Sequence, residues 1–261
     1  MIKYTGIVFR LFTVNYVDFK ELNSLPNRYW WVILTYIAMQ LSGAIFVPIL
    51  VHIFPDHQVE ASIYYSIISF TIGLIIVLIL MKPDMELSQT RSNWLTSNVV
   101  GWSILGVFMA YFAQAIATMV EINIFGIKAG SENTQMIMEI TRTIPLFAII
   151  PAVIAPILEE VIFRKIIFAS LYKRTNFFIA ALLSAFIFGI IHGEPEHILI
   201  YASMGFVFAF LYVKTKKIIV PIIVHMTLNS ISVIAQYSLT PEQIEKIEQQ
   251  WNQVQMILIG G

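Results

Sequence analysis

The chain has no cysteine, which excludes disulfides, a thiolate nucleophile and any Cys-ligated zinc or iron–sulfur centre. A metal ion would have to be held by His, Asp or Glu. Charge is scarce as well: 12% of the 261 residues are charged, with 16 basic and 16 acidic side chains and a formal net charge of zero. No basic surplus marks a nucleic-acid surface, so no nucleic-acid partner is expected. A GxSxG elbow and a zincin HExxH are both missing, as is any Ser placed with His and Asp in a hydrolase pattern. There is no Pro/Gly/Ser-rich linker and no internal repeat, so residues 1–261 are expected to form a single domain. The N-terminal stretch is broken by Lys3, Arg10, Asp18 and Lys20, which gives no reason to expect a cleaved signal peptide.

What remains is apolar. Hydrophobic residues make up 58% of the chain, a composition that places it among polytopic membrane proteins. The expected fold is all-α: a transmembrane helix bundle of about seven spans, near 29–54, 62–81, 99–122, 143–171, 177–192, 197–213 and 218–237. Amphipathic helices lying in the membrane interface are expected at both ends, over 3–22 and from Thr240 onward. Pro83 is expected to close the second span, and 123–142 reads as a loop with turn formers at Gly126 and Gly130. Lys and Arg recur before the first span and after the second, fourth and sixth, which predicts a cytoplasmic N-terminus.

The fourth span carries Glu159, Glu160 and Arg164 near its middle. Each such charge costs roughly 2.5–3.5 kcal/mol at a helix centre, so three together bring the segment close to break-even. Side chains kept at that cost mark an interior site that faces other helices or a water-filled cavity. Glu160 and Arg164 stand at i and i+4, acid first, the favourable order for a helical ion pair, and that pair has a purely structural reading too. Glu159 falls about 100° away on a regular α-helix, which suggests separate roles: Glu160 anchored by Arg164, and Glu159 as general base or acid acting on water.

Two later spans add polar pairs at the same spacing, Phe188 with His192 and His225 with Asn229. The two histidines are candidates to position or activate the water, directly or as ligands of a Zn²⁺ ion shared with Glu159, and Asn229 is a candidate oxyanion donor. Counted at about 1.5 Å per residue from the cytoplasmic ends, Glu159, His192 and Asn229 all lie about 20 Å deep, while His225 comes to only about 12 Å. His52, Asp56 and His57 read as solvated loop polarity. The segment from His192 through Glu194 and Glu196 to His197 has metal-ligand residue types, but Pro195 breaks the spacing a second centre would need.

The motifs EExxxR (Glu159, Glu160, Arg164), FxxxH (Phe188, His192) and HxxxN (His225, Asn229), in this order on separate apolar spans, resemble the CPBP family, the Abi or CAAX-prenyl-protease and bacteriocin-processing intramembrane proteases. The resemblance covers about 144–234, with the catalytic core expected near 143–237. It implies an intramembrane endopeptidase whose substrate is a membrane-associated peptide or protein; the abundance of isoleucine and the lack of cysteine suit a bacterial chain, multi-pass in the cell membrane. By that resemblance Glu159 and His192 activate water, and His225 with Asn229 stabilises the oxyanion. Glu159, His192 and His225 are the candidate zinc ligands, and a metal-free, glutamate-dependent mechanism fits equally well. Two other readings stand beside it: a non-proteolytic scaffold or regulator with the same fold, and a proton-coupled transporter, for which an inverted repeat would be expected.

Overall fold

The computed structural model describes residues 26–91, 97–128 and 130–238, with Gln243 and Lys246 beyond them. The amphipathic helices expected at the two termini fall outside the described residues. Among the described residues there is no strand. The helices are α1 (Asn27–Ile53), α2 (Gln58–Arg91), α3 (Ser97–Asn123), α4 (Glu132–Thr143), α5 (Pro145–Tyr172), α6 (Phe177–Ile191), α7 (Ile198–Thr215) and α8 (Ile219–Ser238). Six of them, α1–α3, α5, α7 and α8, are long and apolar enough to cross a membrane, and α6 is a shorter apolar helix.

Backbone polar groups in lipid must be satisfied within the chain, and a helix does this by itself. Large apolar side chains therefore cover the outward faces, including Leu41, Ile45, Phe108, Phe112 and Leu182. Trp30 and Trp31 are exposed at the start of α1, where aromatic side chains suit the membrane interface. Inside, α5 is the axis. One core cluster joins it to α1 and α2 through Tyr36, Met39, Val77, Leu158 and Phe163. A second joins its C-terminal turns to α6 and α7, and a third packs α3 against α7 and α8.

Small residues let these helices approach, since packing inside lipid gains little from apolar burial and depends on close contact. A Cβ added at Gly205 of α7 would stand 3.0 Å from the Cβ and 3.2 Å from the Cα of Ala185, and 3.4 Å from Nη2 of Arg164. Gly205→Val is therefore expected to push α6 from α7, to cost about 1–3 kcal/mol, and to lower the melting temperature of the purified protein in detergent.

Two expectations need correction. Helix α2 does not stop at Pro83 but continues to Arg91. A proline inside a helix forfeits one hydrogen bond, and the next residue, Asp84, ties this part of α2 to the start of α1 by accepting from Arg28 Nε and from the Tyr29 hydroxyl, both at 2.8 Å. The loop expected over 123–142 contains α4, capped by Ser131, whose Oγ accepts from the Thr134 N–H at 3.0 Å.

Candidate functional site

Helix α5 is wound irregularly, and its prolines explain part of this. It opens as a 3₁₀ turn over Pro145–Ala148, continues as a π segment over Ile150–Ile154, passes through one α stretch, Ala155–Glu159, and widens again into a nine-residue π segment, Glu160–Phe168. In the first π segment the Ala155 N–H donates five residues back to Ile150. Pro156 follows and has no N–H to give to Pro151, its acceptor in the same register. That open carbonyl accepts from Asn229 Nδ2 of α8 at 2.9 Å. In the second segment the Phe163 carbonyl accepts from Ser184 Oγ of α6 at 2.8 Å. The irregular backbone thus ties α5 to both neighbours that carry motif residues.

Glu159 and Glu160 stand at the boundary between α and π winding. On a regular helix they would stand about 100° apart, and separate roles are expected for them. In the structure one imidazole faces both: His225 Nδ1 lies 3.0 Å from Glu160 Oε1, and Nε2 lies 3.7 Å from Glu159 Oε2. The expected shallowness of His225 is corrected by the same contacts. Counting residues at constant rise misplaces Glu159, because nine of the residues that separate it from the Lys173 end of the span, Glu160–Phe168, are π-wound. The glutamates differ in setting: the Glu160 side chain is fully buried, and that of Glu159 keeps 14% of its surface accessible.

The pairing expected between Glu160 and Arg164 is present in a particular form. Arg164 Nε lies 3.2 Å from Glu160 Oε2, yet Glu160 Oε2 and all three guanidinium nitrogens lack a hydrogen-bond partner. What surrounds the cation is aromatic: its Cζ lies 4.6 Å from the ring centre of Phe188, 5.1 Å from Phe208 and 5.9 Å from Phe163. Cation–π attraction in a dry setting replaces part of the missing hydration. Phe188, the first residue of the FxxxH pair, therefore both packs and solvates a charge.

His192 closes α6. Its backbone N–H donates three residues back, to Gly189, and the Phe188 carbonyl faces His192 Nδ1 at 2.7 Å. A carbonyl only accepts, so Nδ1 carries the proton and Nε2 is the free lone pair. Gly193 follows with φ +75°, the left-handed conformation that commonly ends helices. The His192 ring lies 4.5 Å from that of Phe188 and stacks on Tyr201 at 4.2 Å, while Phe188 also sits edge-on to His225 at 6.0 Å. Both histidines thus flank one phenylalanine, but among the described residues no hydrogen bond or ion pair joins His192 to Glu159.

That matters for the zinc expectation. Among the described residues no three His, Asp or Glu side chains converge as a metal ion requires. Glu159 and His225 supply two donors, and His225 Nδ1 is already engaged by Glu160. The donor set as arranged does not fit a three-ligand zinc site.

Sequence reasoning missed a polar network beside the site. Glu121 of α3 accepts from His197 Nδ1 at 2.9 Å and from the Ile200 N–H at 3.1 Å. Glu194 is also buried. It accepts from the Tyr201 hydroxyl at 2.6 Å, from Ser131 Oγ at 2.8 and 2.9 Å, and from the Asn133 N–H at 2.9 Å. Burial alone would push its carboxyl up; the hydrogen bonds from Tyr201, Asn133 and Ser131 outweigh that and hold it below the usual carboxylate range. Glu194 and His197 therefore go to different partners, Glu194 to Tyr201 and the start of α4 and His197 to Glu121. Glu121 was visible as a lone acid in an apolar span, the same signal that marks Glu159.

The family described as "Type II CAAX prenyl endopeptidase Rce1-like" matches residues 141–231, a stretch that holds all three motifs. "Putative membrane peptidase YdiL" of Bacillus subtilis is 43% identical over 246 residues, covering 91% of this chain and 99% of that protein. The chain belongs to the Rce1-like CAAX endopeptidase family. "Membrane-embedded CAAX protease MroQ" of Staphylococcus aureus is 32% identical over 253 residues, covering 89% of this chain and 99% of the relative. No solved structure matches. Membership in the Rce1-like family sets the general activity as that of a membrane endopeptidase, in a multi-pass bundle whose curated homologues are bacterial.

Proposed function

We propose that the protein hydrolyses a peptide bond of a membrane-associated peptide or protein, with Glu159 as the general base acting on water. The observation that carries this reading is the 3.7 Å separation between Glu159 Oε2 and His225 Nε2. It is too long for a direct hydrogen bond and suits one bridging water. Glu159 is also the more accessible of the two carboxylates.

In this reading Glu159 takes a proton from water as the oxygen attacks the scissile carbonyl carbon. His192 Nε2, the lone-pair nitrogen, orients that water. His225, held through Nδ1 by Glu160, turns its Nε2–H from that water to the oxyanion as the bond to carbon forms, and the second N–H of the Asn229 amide adds to it. The proton on Glu159 then passes to the departing amine as the C–N bond breaks, leaving a new carboxylate and a free amine. Glu160 and Arg164 hold His225 in place. The N-terminus lies on the cytoplasmic side, in keeping with the Lys and Arg distribution.

We route no step through a metal ion; the reading is supported by the lack, among the described residues, of three His, Asp or Glu side chains grouped closely enough to hold one. Two labelled peptides probe the reaction with purified protein in liposomes: a farnesylated peptide ending in a CAAX sequence, and an unprenylated apolar spanning peptide of about 20 residues. Wild-type protein is expected to cleave one of them and to keep full activity after exhaustive chelation, with metal content far below one ion per chain. Activity lost on chelation and restored by Zn²⁺ would overturn the metal-free route.

A further inference from the structure

His192 is fixed by one hydrogen bond, from its Nδ1 to the Phe188 carbonyl. A single bond of this kind leaves the ring free to pivot about it, yet a lone pair that orients water has to point one way. The structure supplies a second constraint on the ring plane. Tyr201, on the first turn of α7, lies nearly parallel to the imidazole, with centroids 4.2 Å apart and an interplanar angle of 25°. Gly189 makes this approach possible: a Cβ there would come within 2.9 Å of Ile198 Cγ1 and 3.6 Å of the Tyr201 Cβ.

Tyr201 is itself held. Its hydroxyl donates to Glu194 Oε2 at 2.6 Å, and Glu194 takes its remaining hydrogen bonds from Ser131 and Asn133, at the N-terminus of α4. Glu194 lies two residues after His192, in the same turn, so the network closes on the histidine from both sides. We propose that Tyr201 is a positioning residue that sets the ring plane of His192, and that Glu194, seated on α4, fixes Tyr201. The inference rests on the reading that His192 takes part in the reaction. It gives α4 a role in the catalytic geometry, although α4 contributes no motif residue.

Five histidines are present, so the imidazole Hε1 resonances of protein labelled at histidine are few enough to resolve, and a His192→Gln variant assigns the one of interest. A proton near a tyrosine face is shifted by the ring current. In Tyr201→Leu the His192 Hε1 resonance is expected to move downfield and broaden. In Tyr201→Phe, which keeps the ring and loses the hydroxyl, it stays near the wild-type position, with some broadening. Glu194→Ala gives the Tyr201→Phe spectrum. In cleavage assays kcat falls about 10-fold or more in Tyr201→Leu and a few-fold in Tyr201→Phe, with KM little changed. A merely structural role would instead make the two Tyr201 variants track their melting temperatures. An unmoved resonance in Tyr201→Leu overturns the positioning role. Cleavage retained by His192→Ala overturns the reading beneath it, whatever the spectra show.

Discussion

Glu159→Gln is expected to reduce peptide cleavage by about 10³-fold, the usual contribution of a positioned general base, while the variant melts within about 1 kcal/mol of wild type. The prediction separates the two neighbouring glutamates. Glutamine at this position keeps the size and hydrogen-bonding capacity of the side chain and removes its basicity, where the carboxylate is partly accessible. The loss should fall on kcat, because the base acts on the bond-forming step and not on peptide binding. Glu160→Gln should also lose activity, but by a different route: it leaves the buried Arg164 without its counter-ion and so lowers stability as well. Cleavage rates paired with melting curves of both variants distinguish the two cases.

Arg164→Met is the largest expected stability change in the protein, about 3–5 kcal/mol, since removing one partner of a buried ion pair strands the other. The fully buried Glu160 has Arg164 at 3.2 Å as its cation neighbour on the same helix. The double variant Glu160→Gln with Arg164→Met should recover much of that loss. The apolar methionine side chain fits the cage of Phe163, Phe188 and Phe208, and the introduced glutamine still offers an oxygen to His225 Nδ1. Thermal unfolding of the three proteins in one detergent is the check. Equal melting temperatures for the wild type and Arg164→Met would mean that the ion pair contributes nothing to the fold.

Much of this arrangement was legible in the chain because charge is conspicuous among apolar residues. Glu159, Glu160, Arg164, His192, His225 and Asn229 all announce themselves as polar side chains on otherwise apolar spans, and their order supplied the family resemblance. The all-α bundle and its apolar helices followed from run length. The winding of α5 did not. Pro145, Pro151 and Pro156 can be read from the sequence, but whether a proline kinks, ends or rewinds a helix depends on which neighbour answers the orphaned carbonyl. Here that is Asn229 on a helix 78 positions away. The sharing of His225 was not legible either: two adjacent carboxylates meet the two nitrogens of one ring, Glu160 at Nδ1 and Glu159 at Nε2, and that ring comes from a distant span.

The network of Glu121, Glu194, His197 and Tyr201 was missed for another reason. Glu194 and His197 sit beside Pro195 in the short connection between two apolar spans, and nothing local indicates that residues of α3 and α4 reach them and that both are buried. Helix α4 itself hid among turn formers, since its cap at Ser131 serves Glu194 as well as its own first turn. In a bundle of this kind, local patterns report which residues are costly, while the partners that make them tolerable come from distant spans.

The central claim is that this chain cuts membrane peptides through Glu159. The most direct measurement compares, by mass spectrometry, the membrane-associated peptides of cells carrying the wild-type chain with those of cells carrying Glu159→Gln at equal abundance. The account predicts at least one peptide terminus present only with the wild type, and the same terminus produced by purified wild-type protein in liposomes. Identical peptide sets from the two cell lines, with the purified protein cleaving nothing that the variant leaves intact, would contradict it and favour a non-proteolytic role for the same fold.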